Sequence, residues 1–366
     1  MPFVREKFIL DSPKKATIFL QQTLQITQRE AQKVIDKGRV ENNGAIFKDK
    51  AGFLRGEVVL SHFKAERGEL KPIFETPEFG AFDKPAKLLS HPKGRFSHSS
   101  LLDSIRFYFG RDANPINRLD SETSGILLVS KNKQSEIALK NLFMQKSVEK
   151  TYFAVVFGQI SVEHLAQKFG ENIIVLRKNG KDSISAQQTT EGIAVGVLGF
   201  LVNFGREARL GVCECPKFAK STKGAPKSGL CESDFIIDFA LKEGQKGTDL
   251  GIRSHIDKNG KSAQTAIKIL HYDSARNITH LKIMPLTGRT HQIRAHLAHI
   301  GHRIVGESLY GVSDENARDF LDGKIGDSER VRIFGANRLM LHAQSLHFYY
   351  NDNEFFIKSK MDFRFA

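Results

Sequence analysis

The residue in this sequence best suited to chemistry is a carboxylate on a polar turn that feeds a buried strand. In Ile116-Asn117-Arg118-Leu119-Asp120-Ser121-Glu122-Thr123-Ser124-Gly125, Asp120 is flanked by Arg118, by hydroxyl side chains and by a glycine that lets the backbone turn. Ile126-Leu127-Leu128-Val129 then reads as a short, fully buried strand, and a strand is a rigid mount for a reactive group. Taken locally, Asp120 is better explained as an ordinary turn residue.

Two further segments carry groups that can act on a ligand. Lys150-Thr151-Tyr152-Phe153-Ala154-Val155-Val156-Phe157-Gly158 is β-branched and aromatic, as a strand is, and places Tyr152 either in a core or against an aromatic ligand. In Pro285-Leu286-Thr287-Gly288-Arg289-Thr290-His291-Gln292-Ile293-Arg294, Thr287 or Thr290 is expected to cap a helix. Ile293, Leu297 and Ile300 give that helix its apolar face, and Gly301 ends it. Arg289 stands where the helix begins, and its guanidinium can grip a carboxylate through two hydrogen bonds. His296, His299 and His302 lack the Glu and the i, i+4 spacing of a zinc-hydrolase helix and read as hydrogen-bonding residues. Lys84, in a loop stiffened by Pro85 and Pro92, can neutralise a phosphate.

These groups must be positioned by a chain of 366 residues, long enough for two domains. With 55 Lys+Arg against 41 Asp+Glu the formal charge is +14, which favours a polyanionic partner over a small neutral one. No apolar run approaches the ~20 residues of a membrane span, and the start lacks a secretory core, so a cytoplasmic protein is expected. Cys213, Cys215 and Cys231 are too few and wrongly spaced for a zinc site and read as free thiols in a reducing compartment.

The first seventy residues read as a small basic domain. Ser12 is expected to cap a helix with Pro13 at its first position, and Thr27-Gln28-Arg29-Glu30 is a capping box for a second helix that stops at Gly38. Val40, Ala45-Ile46-Phe47 and Val58-Val59-Leu60 read as strands, with a hairpin turn at Asn43-Gly44. Arg29, Lys33 and Lys37 fall on one side of the second helix, a stripe that suits either a phosphate backbone or plain solvent.

From about residue 14 to 65 this order of elements resembles the α-L RNA-binding domain, with Lys14-Lys15-Ala16 in place of its usual leading Arg-Leu-Asp. Residues 72 to 160 and 233 to 350 closely resemble the RluA family of pseudouridine synthases. The resemblance rests on Asn117-Arg118-Leu119-Asp120 with Thr123-Ser124-Gly125, on Gly288-Arg289-Thr290-His291-Gln292-Ile293-Arg294, on Tyr152 and on Leu341-His342-Ala343. It implies an α+β fold, a mixed, mostly antiparallel sheet with a central cleft, preceded by the small α-L domain. The expected boundaries are 1–70 and 71–366, with an atypical insertion at about 161–232 whose stretch 216–230 is basic.

The same resemblance implies an isomerase that converts uridine in RNA to pseudouridine without metal or organic cofactor. Asp120 is then the essential aspartate, Arg289 its partner and Tyr152 the active-site tyrosine. Arg118, Lys84, Thr123 and Arg294, with Arg29, Lys33 and Lys37, are expected to bind substrate. Large-subunit ribosomal RNA is the expected partner of a monomeric enzyme. A tRNA enzyme and a non-catalytic RNA-binding protein are the alternatives. Asn117 stands where the family usually has His, and altered RNA contacts with retained activity are expected.

Overall fold

The computed structural model describes residues 3–63, 70–91, 100–176, 233–245, 247 and 250–363. The chain divides into two compact units, 1–121 with 127–136 and 122–126 with 137–366. Residues 71–121 thus cluster with the N-terminal residues and do not separate near residue 70. Arg111 donates to the carbonyls of Leu24 and Gln25 and pairs with Glu30.

The first unit opens on a strand that sequence reading misses. Phe3–Lys15 pairs antiparallel with Phe53–Phe63, from Phe3 opposite Phe63 to Lys15 opposite Phe53. The expected helix capped by Ser12 is corrected here. Ser12 and Pro13 lie in the register irregularity between Leu10 and Lys14, where a residue without an N–H does least harm to the ladder. The helix begins at Ala16, with Lys15 at its N-cap and no side-chain cap. The next helix, Gln28–Asp36, has the expected box: Thr27 accepts from the Glu30 N–H, and the Glu30 carboxylate accepts from the Thr27 N–H. Asn43 and Gly44, at φ 49° and 81°, turn Val40–Asn42 into Ala45–Ile46. Leu10, Phe19, Leu20, Ala31, Ile35, Val40, Leu54, Val58 and Leu60 close the core between these helices and the sheet. Arg29, Lys33 and Lys37 are exposed, as the stripe requires.

The second unit is built on a large, mostly antiparallel sheet. Its strands run in the order Ile173–Val175, Phe235–Asp238, Gln264–Asp273, Ile278–Pro285, Glu149–Phe157 and Leu341–Tyr350. The last of these also pairs with Asn353–Lys358. It meets Ser124 and Gly125 in the one parallel pairing among the described strands of this unit. Val155, Phe235, Ile267, Leu281, Ile283 and Leu297 lie at its core.

The start of the expected insertion joins this framework. Val162–Phe169 is a helix and Ile173–Val175 a strand paired with Phe235–Asp238. Its glycines from Gly192 to Gly211, the basic stretch 216–230 and all three cysteines lie outside the described residues. Among the described residues no helix is long and apolar enough to cross a membrane.

Losing an N-cap hydroxyl costs about 1 kcal/mol, equivalent to about fivefold in a local opening equilibrium. Thr27→Ala is therefore expected to speed amide exchange of Gln28–Asp36 about fivefold, measured by mass spectrometry, without changing exchange in Glu149–Phe157.

Candidate active site

The turn that carries Asp120 is held at the peptide carbonyl on each side of it. Ser90 Oγ donates to the Leu119 carbonyl at 2.9 Å, and Lys84 Nζ donates to the Ser121 carbonyl at 3.0 Å. Lys84 also donates to the carbonyls of Pro85 and Leu88 at 3.0 and 2.8 Å. Its side chain is fully buried, so the expectation that Lys84 meets a phosphate is corrected. A buried ammonium needs such acceptors, and here it fastens one loop to another. Asn117 is used internally as well, its Oδ1 accepting the Leu128 N–H at 2.7 Å. Asp120 is half-buried and Arg118 exposed, whereas Thr123 is buried.

The residues just after Asp120 belong to the second unit and are anchored by late parts of the chain. Glu122 pairs with Arg330. Ser124 Oγ receives a hydrogen bond from Arg338 Nη1 at 3.1 Å and shares another with His342 Nδ1 at 2.9 Å. Gly125, at φ 112°, lies against the backbone of Ala343, and a Cβ there would collide with the Ala343 carbonyl. Gly125, Ala343, Tyr152 and Ile283 sit opposite one another across four strands, which fixes the height of Tyr152 in the sheet. Tyr152 is half-buried.

The sequence pattern assigns no site role to Glu122, Ser124, Arg330, Arg338 or His342. Lys150 was also missed. It lies two residues from Tyr152 on the same strand face and donates to the Thr287 carbonyl at 3.4 Å. Burial, with Lys146 nearby, pushes its ammonium down to about 8. The two-residue spacing from Tyr152 was the available signal.

Arg289 projects from a loop organised by Gln292. The Gln292 Oε1 accepts the Thr287 hydroxyl at 2.6 Å and the Arg289 N–H at 3.1 Å, and its Nε2 donates to the Gln264 carbonyl and to Thr265 Oγ1, both at 2.9 Å. Every hydrogen-bonding position of that buried amide is filled, which gives the loop one shape. Neither Thr287 nor Thr290 caps the helix Gln292–His299. His291 holds the N-cap at φ 54°, because the Thr287 hydroxyl is committed to Gln292. Arg289 is exposed, with Nε donating to the Ser262 carbonyl at 3.0 Å.

The expectation that Arg294 binds substrate is also corrected. Arg294 is 3% exposed and grips the fully buried Glu307 through Nε and Nη2 at 2.7 and 2.6 Å. Burial raises the Glu307 carboxyl, but the Arg294 charge and hydrogen bonds outweigh it and hold the group below its ordinary value.

The three histidines have partners of their own. The Thr265 hydroxyl meets His296 Nδ1 at 2.9 Å, and His296 Nε2 meets the Phe239 carbonyl at 3.0 Å. That carbonyl can only accept, so Nε2 carries a proton, and it is burial that keeps the ring neutral. Burial correspondingly pushes His296 down to about 4. His299 packs edge-on against Phe239, and His302 Nδ1 bonds the Phe157 carbonyl. Asp120 therefore stands in the first unit on a braced turn, and Tyr152 and Arg289 stand in the second, each on its own fixed support.

The family described as RNA pseudouridylate synthase matches residues 79–299 of this chain. A Helicobacter pylori (strain J99 / ATCC 700824) protein named as an uncharacterized RNA pseudouridine synthase is 37% identical over 365 residues, covering 100% of this chain and 98% of its own. The ribosomal large subunit pseudouridine synthase C of Buchnera aphidicola is 26% identical over 294 residues, which are 77% of this chain and 67% of that protein. The tRNA pseudouridine(31) synthase of Saccharomyces cerevisiae is 28% identical over 238 residues, 65% of this chain and 45% of its own.

Removing one partner of a buried ion pair costs about 3–5 kcal/mol, whereas replacing both by apolar groups is often neutral. Arg294→Met is expected to lower stability in urea by that amount, and Arg294→Met with Glu307→Leu to recover most of it. A histidine lowered from 6.5 to about 4 gives stability that is complete above pH 6.5 and lost as the pH falls through that window. The urea midpoint of the wild-type chain should fall between those values, and His296→Gln should flatten the fall.

Proposed function

The chain belongs to the RNA pseudouridylate synthase family, and we propose that it isomerises uridine in large-subunit ribosomal RNA with Asp120 as the essential carboxylate. The reaction breaks the bond from uracil N1 to the ribose, turns the base and rejoins it through C5, whose proton is released. Uridine and pseudouridine are isomers, so no net oxidation or hydrolysis occurs. Asp120 acts either by adding to the sugar or by assisting loss of the ribose 2′ proton, and both routes need an ionised carboxylate held at one place.

The observation that carries this reading is the pair of hydrogen bonds from Ser90 and Lys84 to the carbonyls of Leu119 and Ser121. They fix the backbone at Asp120 while leaving its side chain half-exposed.

Arg289 is the partner of that carboxylate. Its Nε is spent on Ser262, and its terminal nitrogens are uncommitted among the described residues. Tyr152 supports the detached base, and Lys150 beside it stiffens the loop of Arg289. The uridine has to leave its stack to reach Asp120, and Arg118, exposed two residues away, fills the vacated space. Lys84, Thr123 and Arg294 serve by positioning.

The choice of ribosomal RNA is supported by the α-L-like N-terminal segment with exposed Arg29, Lys33 and Lys37, and by the Buchnera relative's named substrate. The yeast relative makes tRNA the second reading. The enzyme is proposed to act as a monomer in the cytoplasm.

Asp120→Asn is expected to abolish pseudouridine formation while RNA affinity stays within about threefold, as loss of a group needed only in the reaction predicts. Product formed at the wild-type rate would sink the role of Asp120. Mapping pseudouridine in ribosomal RNA and tRNA from cells with and without the gene identifies the substrate.

A further inference from the structure

Resting on the reading of this chain as an RNA isomerase, we infer that Leu241–Lys242 and the paired segment 253–262 form a rigid arm whose Lys258 and Lys261 hold RNA phosphates beside the Arg289 loop. Leu241–Lys242 pairs with His255–Ile256, and Leu241 also exchanges both backbone hydrogen bonds with Lys261, at 2.9 and 2.8 Å. The turn between them is equally fixed. The Asp257 N–H bonds the Ala240 carbonyl, Asp257 Oδ1 accepts the Asn259 N–H, and the Gly260 N–H bonds the Asp257 carbonyl. Gly260 lies so close to the backbone of Leu241 that no side chain fits.

The arm is one piece with the Arg289 loop. Leu241 and Ala263 share a small core with Ala295, Leu309 and Tyr310. Ser254 Oγ donates to the Thr290 carbonyl at 2.9 Å, and the Ser254 N–H donates to the Tyr310 hydroxyl, which also bonds His291 Nδ1. The Ser262 carbonyl, one residue past Lys261, takes Arg289 Nε. A phosphate held at Lys261 is thereby registered to the guanidinium through a single peptide.

Charge separates these two lysines from their neighbours. Lys242 is paired with Asp257 and Arg253 with Asp314. Lys258 and Lys261 are exposed and have no acidic partner among the described residues. Two uncompensated cations add nothing to the packing of this turn, whereas a phosphate backbone meets them on a support that needs little further ordering. Such contacts position the strand and carry no sequence information, so the arm fits RNA flanking the target rather than the target base.

The test uses RNA extracted from cells lacking the gene and tritiated at uridine C5, with Lys258→Ala/Lys261→Ala compared against the wild-type chain. Each phosphate contact contributes about 0.7–0.9 to the slope of log affinity against log salt, so the double variant should lose about 1.4–1.8 of it. KM for tritium release should rise about three- to tenfold and kcat should change less than about twofold. Lys258→Arg/Lys261→Arg should restore the slope. Lys324→Ala, a paired cation elsewhere in the same unit, should leave it unchanged.

An unaltered slope in the double alanine variant overturns the arm's role, as does an equal loss for Lys324→Ala. If wild-type protein releases no tritium, the isomerase reading fails. The salt dependence of binding to the same RNA then still decides whether the arm grips phosphates.

Discussion

A catalytic carboxylate has to satisfy two demands that pull apart: it must meet a substrate, and it must not move. At Asp120, the carboxylate proposed for that role, the main chain is fixed and the side chain spared. Hydrogen bonds to the carbonyls before and after it come from Ser90 and from the buried ammonium of Lys84, which also bonds two carbonyls of its own loop. A neutral side chain in the place of Lys84 could not donate to three carbonyls at once. Three carbonyl dipoles offset the cost of placing that charge in the interior.

The second unit applies the same principle with different chemistry. Around Arg289 the organising group is a neutral amide, Gln292, whose donors and acceptors are all used. The adjoining helix is fastened by the Arg294–Glu307 pair, and the ring of His296 is held neutral between a hydroxyl and a carbonyl. These networks add little net stability, since each group gives up water to join them. Their contribution is a single arrangement of the loop, which fixes where the exposed Arg289 guanidinium starts from.

Much of this was legible in the sequence, and the misses have a common physical cause. Several local signals hold where the partner is near in the chain, although the helix cap expected of Thr287 or Thr290 falls to His291. The Thr27–Glu30 box, the Asn43-Gly44 turn and the buried strand after Asp120 all appear where they were expected. Lys84 and Arg294 mislead because a cation looks the same in sequence whether it faces a phosphate or a buried acceptor. The acceptors lie up to 37 residues away for Lys84 and 13 for Arg294. The strand Phe3–Lys15 was hidden because its partner begins at Phe53, and a proline near its end reads locally as a helix start. Arg330 and Arg338 sit 208 and 214 residues from the side chains they hold, beyond any periodic pattern.

That last separation bears on when, and not only where, the protein becomes competent. A chain is made from its N-terminus, and domains order as they emerge. Asp120 and the loops that clamp it are all present by residue 130, yet the run 122–126 waits for Arg330, Arg338, His342 and Ala343. Contacts of such long range form late, because the intervening loop has to close first. A nascent chain therefore carries its carboxylate for most of its synthesis before acquiring the anchors that follow it. The run that follows Asp120 thus takes its final form only when the chain is nearly complete.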